Sequence, residues 1–391
     1  MIRDYDAVIA GAGFAGAVSA RKLAEAGKKV LILEKRNHIG GNAYDYCDEN
    51  HVLRHEYGPH IFHTNSEKAV AFLSRFTDWF DYEHRVLGWI EGRLVPIPFN
   101  LTSIEMLFEK EKADHLKSVL ISAYGMGKKV PILELRKNPD PEINELAEYI
   151  FEHVFKYYTM KQWGYTAEEI DPAVTARVPV LVSYDDRYFQ DSFQKMPKDG
   201  YTAIFEKMLD HPNITVRLNT DAADHITVDT ENKKVLADGE PYDGIVIYTG
   251  LADHLLKYCL GDLSYRSLEF DVQSHDGDYQ PATTVNYPTS AEIHPYTRIS
   301  EYKKMMFNPP AERTTVAVEY PYVYNRTGEK GNVPYYPVFT EESKGRYQAY
   351  TDLLKGISNL YLLGRLAEYR YYNMDAIVER ALEFTDEILK H

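Results

Sequence analysis

The sequence predicts an α/β fold made of a discontinuous Rossmann-like domain, a small helical domain and an antiparallel β-sheet domain. Three observations carry that expectation. A glycine turn, Gly11-Ala12-Gly13-Phe14-Ala15-Gly16, joins a short apolar run to a helical stretch near the start. Two further apolar runs that close on glycine, Gly244 to Gly250 and Leu360 to Gly364, lie far downstream. Elsewhere a long tract of helical period precedes tracts of alternating period, which separates a helical region from a sheet region.

Tyr5 to Ala10 reads as the first strand and Ala17 to Ala26 as a helix that Gly27 ends; Lys29 to Leu33 reads as the next strand, with Glu34 at its tip. Without a Cβ at Gly11 and Gly13 the backbone can turn tightly and approach a pyrophosphate, which then sits at the positive end of the helix. A carboxylate about 20 residues past the glycines is placed to accept hydrogen bonds from a ribose diol. Strand, helix and acid are in register, so the turn is a dinucleotide site. Segments of helical period run from Ile104 to Tyr165, broken at Gly125-Met126-Gly127 and at Asn138-Pro139-Asp140-Pro141. Alternation at Val178–Tyr184, Thr283–Tyr287, Arg313–Tyr320 and Val333–Phe339 predicts the antiparallel sheet. Ile214–Leu218, Ile226–Asp229, Gly244–Gly250 and Leu360–Leu363 are expected to rejoin the nucleotide domain, followed by a last helix from Asp375 to Leu389. A second glycine turn at Gly364-Arg365 would add backbone donors to the same cofactor. The expected partition is 1–80, 200–250 and 355–391 for the nucleotide domain, 101–170 for the helices, and 81–100, 183–199 and 251–354 for the sheet.

The 391 residues suffice for two or three domains with cores of their own. Lys and Arg number 44 against 59 Asp and Glu, a formal net charge of -15, which argues against a nucleic-acid partner. A bound phosphate must be met by a few local arginines. Two cysteines, Cys47 and Cys259, supply neither a disulfide framework nor a metal-spaced cluster and fit a reducing cytoplasm. Asp4 and Asp6 interrupt the first 12 residues, and no run approaches the ~20 apolar residues of a membrane span, so a cytoplasmic protein without direct membrane insertion is expected. Tyrosine, with 32 copies, clusters near arginines at Tyr157-Tyr158, Tyr335-Tyr336 and Tyr369 with Tyr371-Tyr372. Phenols combine a stacking face with a hydroxyl, which suits sugars and a nucleobase.

Nine segments then carry a resemblance that covers nearly the whole chain. They are Gly40-Gly41-Asn42, Tyr57 to Thr64, Pro98 to Leu101, Tyr158 to Gly164, Tyr184 to Phe189, Pro197 to Tyr201, Tyr296 to Ile299, Pro334 to Pro337, and Gly364-Arg365-Leu366. In this order they resemble the UDP-galactopyranose mutases of the bacterial type. The resemblance implies FAD, active when reduced and without net redox change. It implies that the flavin N5 attacks the anomeric carbon of UDP-galactose, expels UDP and forms a flavin–sugar adduct, from which the ring recloses as the furanose. The cofactor then supplies the nucleophile, and no Ser, Cys or Asp nucleophile is needed. A cellular reductant and a homodimer are implied as well.

The same resemblance assigns residues. Arg177 and Arg298 match phosphate-binding arginines, and bidentate guanidinium groups suit a departing diphosphate. Arg177 falls on a mobile loop, 165–182, with Gly164 and Pro172 near its ends. Tyr158 matches a uridine-stacking tyrosine and Trp163 an active-site tryptophan; Tyr188 and Phe189 are expected in the nucleotide and sugar pocket, Tyr336 and Tyr371 at the diphosphate, and Asn286 at the sugar. His60 and His63 are expected against the isoalloxazine, where a near-neutral imidazole can tune N5. Gly11, Gly13, Phe14, Ala15, Gly16, Glu34, Lys35, Gly41, Asn42, His60, Ile61, Gly250, Gly364, Arg365 and Met374 are the expected cofactor contacts. No metal is implied, since the two histidines lack a carboxylate or cysteine at ligand spacing.

Three positions depart from the family pattern. Asn373 stands where an aspartate is frequent beside the substrate, Val154 replaces an aromatic residue that often packs on the uracil, and His84 replaces a sugar-side asparagine of some members. These departures keep open a mutase for UDP-N-acetylgalactosamine or for a dTDP-linked 6-deoxy sugar. A flavin oxidoreductase of the amine-oxidase type shares the scaffold but has no call for paired phosphate arginines. An NAD-dependent sugar epimerase would rest on Tyr124 and Lys128, which sit on a glycine-broken segment. A silent nucleotide-sugar sensor would also retain Arg177, Arg298 and Trp163.

Overall fold

The computed structural model describes residues 1–164 and 178–390. A five-stranded parallel sheet runs in the order Ile214–Arg217, Val30–Leu33, Ala7–Ala10, Ile245–Tyr248, Leu360–Leu362. Its two central strands, Ala-Val-Ile-Ala and Val-Leu-Ile-Leu, are buried at every position, as strands covered on both faces must be. The first helix, Phe14–Glu25, begins three residues before the sequence reading places it. Gly16 explains the difference: a Cβ there would lie 2.0 Å from the Gly11 carbonyl oxygen, so the first turn of the helix is packed on the glycine turn itself. This helix packs against the last one, Met374–Ile388.

Ile226–Asp229 does not rejoin the parallel sheet. It forms a separate antiparallel sheet with Lys234–Ala237 and Glu240–Pro241. The cause is local: the Asp229 carboxylate accepts the Glu231 and Asn232 N–H groups and Lys233 adopts φ 54°, closing a tight hairpin before any distant strand can compete. Ile226, Val235 and Ala237 then pack under Val8, Leu31 and Val246.

A seven-stranded sheet runs in the order Tyr336–Pro337, Tyr265–Asp276, Arg313–Val323, Arg298–Glu301, Thr284–Asn286, Val86–Ile90, Arg93–Ile97. It is antiparallel except where Thr284–Asn286 lies parallel to Val86–Ile90. Of the expected sheet segments, Val178–Tyr184 goes elsewhere: only Val180–Leu181 is extended, and it pairs with Lys129–Val130 beside the helices. Those helices, Leu101–Leu107, Lys110–Tyr124 and Pro141–Ile150, bury Ile104, Leu116, Leu120, Ile143, Leu146 and Ile150 together. Asn100 and Asp140 cap two of them, accepting the N–H groups of Ser103 and Glu142. A π-helical turn, Phe151–Lys156, leads into Tyr157–Trp163, which carries two of the expected site residues against the large sheet. Among the described residues no helix is long and apolar enough to cross a membrane.

Candidate active site

A cleft of about 1240 Å³, counting the space at its open mouth, lies at the carboxyl ends of the parallel strands. Its walls hold Gly11, Gly13, Phe14, Ala15, Glu34, Lys35, Gly41, Asn42, His60, Gly250, Gly364, Arg365 and Met374, together with the substrate candidate Asn373. The local backbone explains the shape. Gly11 has φ +99°, and a Cβ there would meet Thr249 Oγ1 at 2.4 Å; Gly41 has φ +57°, and its Cβ would lie 2.9 Å from Gly13 Cα. Side chains at these points would fill the cradle that a pyrophosphate needs. The buried Glu34 carboxylate accepts the Ala12 N–H at 2.8 Å and the Arg36 N–H at 2.9 Å, one bond to each oxygen. Each oxygen keeps acceptor capacity for a ribose hydroxyl. This cradle fits the dinucleotide expected from the sequence, FAD. Two expected contacts stand outside the wall. Gly16 packs the helix on the turn, and Ile61 packs against the core beneath.

Arg365 joins this cleft to a cluster of aromatic rings. Its guanidinium donates to the Tyr372 carbonyl at 2.6 Å and lies 5.6 and 5.0 Å from the ring centres of Tyr336 and Tyr371. Those two rings stack 5.9 Å apart, and buried Trp163 sits 5.8 Å from Tyr336. Arg298 completes the cluster from the large sheet. Its Nε and Nη2 donate to Glu319 Oε2 at 2.8 and 2.7 Å. Burial opposes its charge most, yet the Glu319 carboxylate together with the neighbouring Tyr158 and Tyr336 outweighs that cost and holds the guanidinium more firmly protonated than usual. Arg298 lies close enough to Tyr158, Tyr336, His60 and His84 for its charge to act on each. Asn286 is its cross-strand neighbour. Burial raises the Tyr336 phenol, which keeps its O–H as a donor at neutral pH.

The histidines differ in setting. His60 Nδ1 lies 2.8 Å from the Gly58 carbonyl and therefore carries the proton. Burial pushes His60 down to about 3, so it is neutral near pH 7. His63 bonds Asp191 at 2.8 Å and stacks on Phe189, with ring centres 3.5 Å apart. His84, pushed by burial to about 3, lies 6.0 Å from the same Phe189 ring and 5.6 Å from Tyr188. Val154 lies buried among the helices. Arg177 lies outside the described residues, as does most of the loop expected at 165–182.

Sequence reasoning missed four residues that position this cluster. Glu319 and Arg266 are buried charges on strands and Lys161 is a half-buried one on a helix, each with partners more than 20 positions away. Arg36, next to Glu34, bonds Asn42 and lies 4.1 Å over the Tyr57 ring on the cleft wall. Only Arg36 had an available signal, its place directly after the ribose-binding tip.

Comparison with known proteins agrees with this architecture. The family model described as UDP-galactopyranose mutase matches residues 153–371, and one described as an NAD(P)-binding Rossmann-like domain matches residues 9–76. A probable UDP-galactopyranose mutase of Klebsiella pneumoniae is 35% identical over 98% of this chain and 94% of its own length. A dTDP-fucopyranose mutase of Escherichia coli is 34% identical over 98% of each chain. The crystal structure of a reduced UDP-galactopyranose mutase aligns with a TM-score of 0.70 at 17% identity, over 98% of this chain and 95% of that one, a likeness of fold. With a family model over more than half of its length and full-length relatives at about this identity, the chain belongs to the UDP-galactopyranose mutase family.

Proposed function

We propose that this chain is an FAD-dependent isomerase that interconverts UDP-galactopyranose and UDP-galactofuranose without net redox change. One observation carries the reading: a dinucleotide cradle and a guanidinium-centred aromatic cluster share a wall at Arg365. When bound and reduced, FAD supplies the nucleophile for the sugar's anomeric carbon. The protein's own residues do the rest. Arg298, held from behind by Glu319, neutralises a diphosphate oxygen as UDP separates, and Arg177 is the second such group. Tyr158 and Trp163 receive the uridine, and the Tyr336 and Tyr371 hydroxyls complete the phosphate contacts. Neutral His60 offers an uncharged Nε2 acceptor beside the cofactor, and the His63, Phe189 and His84 stack bounds the sugar side. In this reading residues 1–80, 200–250 and 355–391 hold the FAD, a cellular reductant keeps it reduced, and the enzyme works in the cytoplasm as a homodimer.

The test is product analysis by chromatography and proton NMR after incubation with UDP-galactofuranose, with and without dithionite. Interconversion only in the dithionite sample is the expected result; interconversion of equal rate in both, or in neither, overturns it. A dTDP-linked 6-deoxy sugar is the second reading, favoured by Asn373 at the cleft wall and by the E. coli relative of equal similarity. Turnover of such a sugar with UDP-galactofuranose untouched selects it.

A further inference from the structure

Lys161 lies at the centre of a carbonyl tripod that no part of the reaction accounts for. Its ammonium donates to the backbone carbonyls of Tyr287 at 2.7 Å, His294 at 2.9 Å and Tyr296 at 2.7 Å. An ammonium has three N–H bonds, and all three are used. The partners are neutral; among the described residues no carboxylate pairs with it. Burying a cation among neutral groups costs free energy that this exact complement of acceptors offsets. The position of the tripod gives it a use. Tyr287 directly follows Asn286, and Tyr296 stands two residues before Arg298, while Asn286 and Arg298 are paired across neighbouring strands. Lys161 itself sits between Tyr158 and Trp163 on one short helix. One side chain therefore ties the expected uridine-binding helix to both expected sugar and phosphate residues of the sheet.

The other side of that helix is fixed as well. Arg266, from the strand Tyr265–Asp276, donates to the Gln162 carbonyl at 2.8 Å and to the Lys161 carbonyl at 3.0 Å. Gly164, with φ +75°, closes the helix where a Cβ would come within 2.9 Å of Arg266 Nη1. The sheet thus caps the helix end, and the helix in turn holds the 287–296 loop of the sheet.

We propose that Lys161 is a positioning residue for nucleotide binding, whose ammonium sets the distance between the helix carrying Tyr158 and Trp163 and the strands carrying Asn286 and Arg298. The proposal rests on the nucleotide-sugar reading of the site. Its mechanism is geometric: stacking and phosphate contacts reinforce one another only when both halves are held at the spacing of one nucleotide.

The experiment measures the dissociation constant of UDP by calorimetry on the FAD-loaded protein, for the wild type, K161M and K303M. Lys303 is the structural control. It is buried, donates to the Gly277 carbonyl at 2.7 Å, and lies beyond the far end of the Arg298 strand. K161M is expected to bind UDP roughly tenfold or more weakly, with FAD content unchanged, whereas K303M lowers the melting midpoint and keeps the wild-type affinity. If K161M does not fold, K161Q, which keeps two donors, carries the same comparison. Wild-type affinity in K161M, or equal weakening in K161M and K303M, overturns the proposal. A wild type that binds no UDP overturns the nucleotide reading first, and the proposal with it.

Discussion

At the scale of single residues, the Arg298–Glu319 pair shows how a buried charge is made available to a ligand. Glu319 is 2% exposed and spends one oxygen on both Arg298 donors. A carboxylate behind the guanidinium fixes its plane and keeps it charged, leaving the opposite edge for phosphate. E319Q preserves shape and removes that charge. We expect kcat/KM to fall by on the order of 10- to 100-fold, mostly through KM, because a charge-assisted hydrogen bond contributes about 1.5–3 kcal/mol. R298A is expected to raise KM and cut turnover further, since the phosphate contact itself is lost. Steady-state kinetics on both variants checks this; wild-type kinetics in R298A would remove Arg298 from the site. Glu319 was invisible in the sequence for a physical reason. Its partner lies 21 positions away, across a strand register that only the folded sheet establishes.

At the scale of elements, the glycine-marked turns were legible and the polar strands were not. Gly11, Gly41 and Gly364 declare themselves because a positive φ strains any residue with a Cβ, and at Gly11 and Gly41 that Cβ would also come within 3.0 Å of a neighbour. Tyr265–Asp276 hid because Arg266, Glu269 and Asp271 break its apolar alternation, although each charge finds a purpose only after folding, as Arg266 does on the helix end. Ile226–Asp229 misled in the opposite way, reading as a strand of the parallel sheet while its own hairpin turn claimed it. The turns yield a direct contrast. In G41A a Cβ meets Gly13 Cα at 2.9 Å, so the cradle must open; in G27A, with φ +85°, nothing lies within 4 Å. Both variants carry left-handed strain of on the order of 1 kcal/mol. Only G41A is expected to purify with most of its flavin absorbance missing, a difference read from the visible spectrum at equal protein concentration. Equal flavin content in the two would mean that the Gly13–Gly41 approach does not shape the cofactor site.

At the scale of the whole molecule, neutral histidines buried at its seams link stability to pH. His55 is 2% exposed, lies 5.6 Å from the Tyr302 ring at the end of the large sheet and 5.7 Å from Tyr201 of the helix Gly200–Leu209, and accepts the His60 N–H. His84, 4% exposed, sits among Tyr82, Tyr188 and Phe189. Burial pushes both, and His60 with them, down to about 3 from an ordinary value of 6.5. A folded-state value below the unfolded one means that the unfolded chain holds more protons between these limits, so stability is complete above pH 6.5 and falls as pH drops toward 3. Each histidine costs about 1.4 kcal/mol per pH unit in that window, so across the three of them two units remove about 8 kcal/mol, comparable with the whole stability of a typical domain. The melting midpoint is therefore expected to be flat from pH 7 to 8 and to fall steeply between pH 6 and 4.5. H84Q removes one of the three titrating groups and should make the acid limb about a third less steep, while its midpoint at pH 7.5 drops through lost packing. An acid limb of unchanged slope in H84Q would show that carboxylate pairs, which a chain of charge -15 has in number, set the acid sensitivity instead.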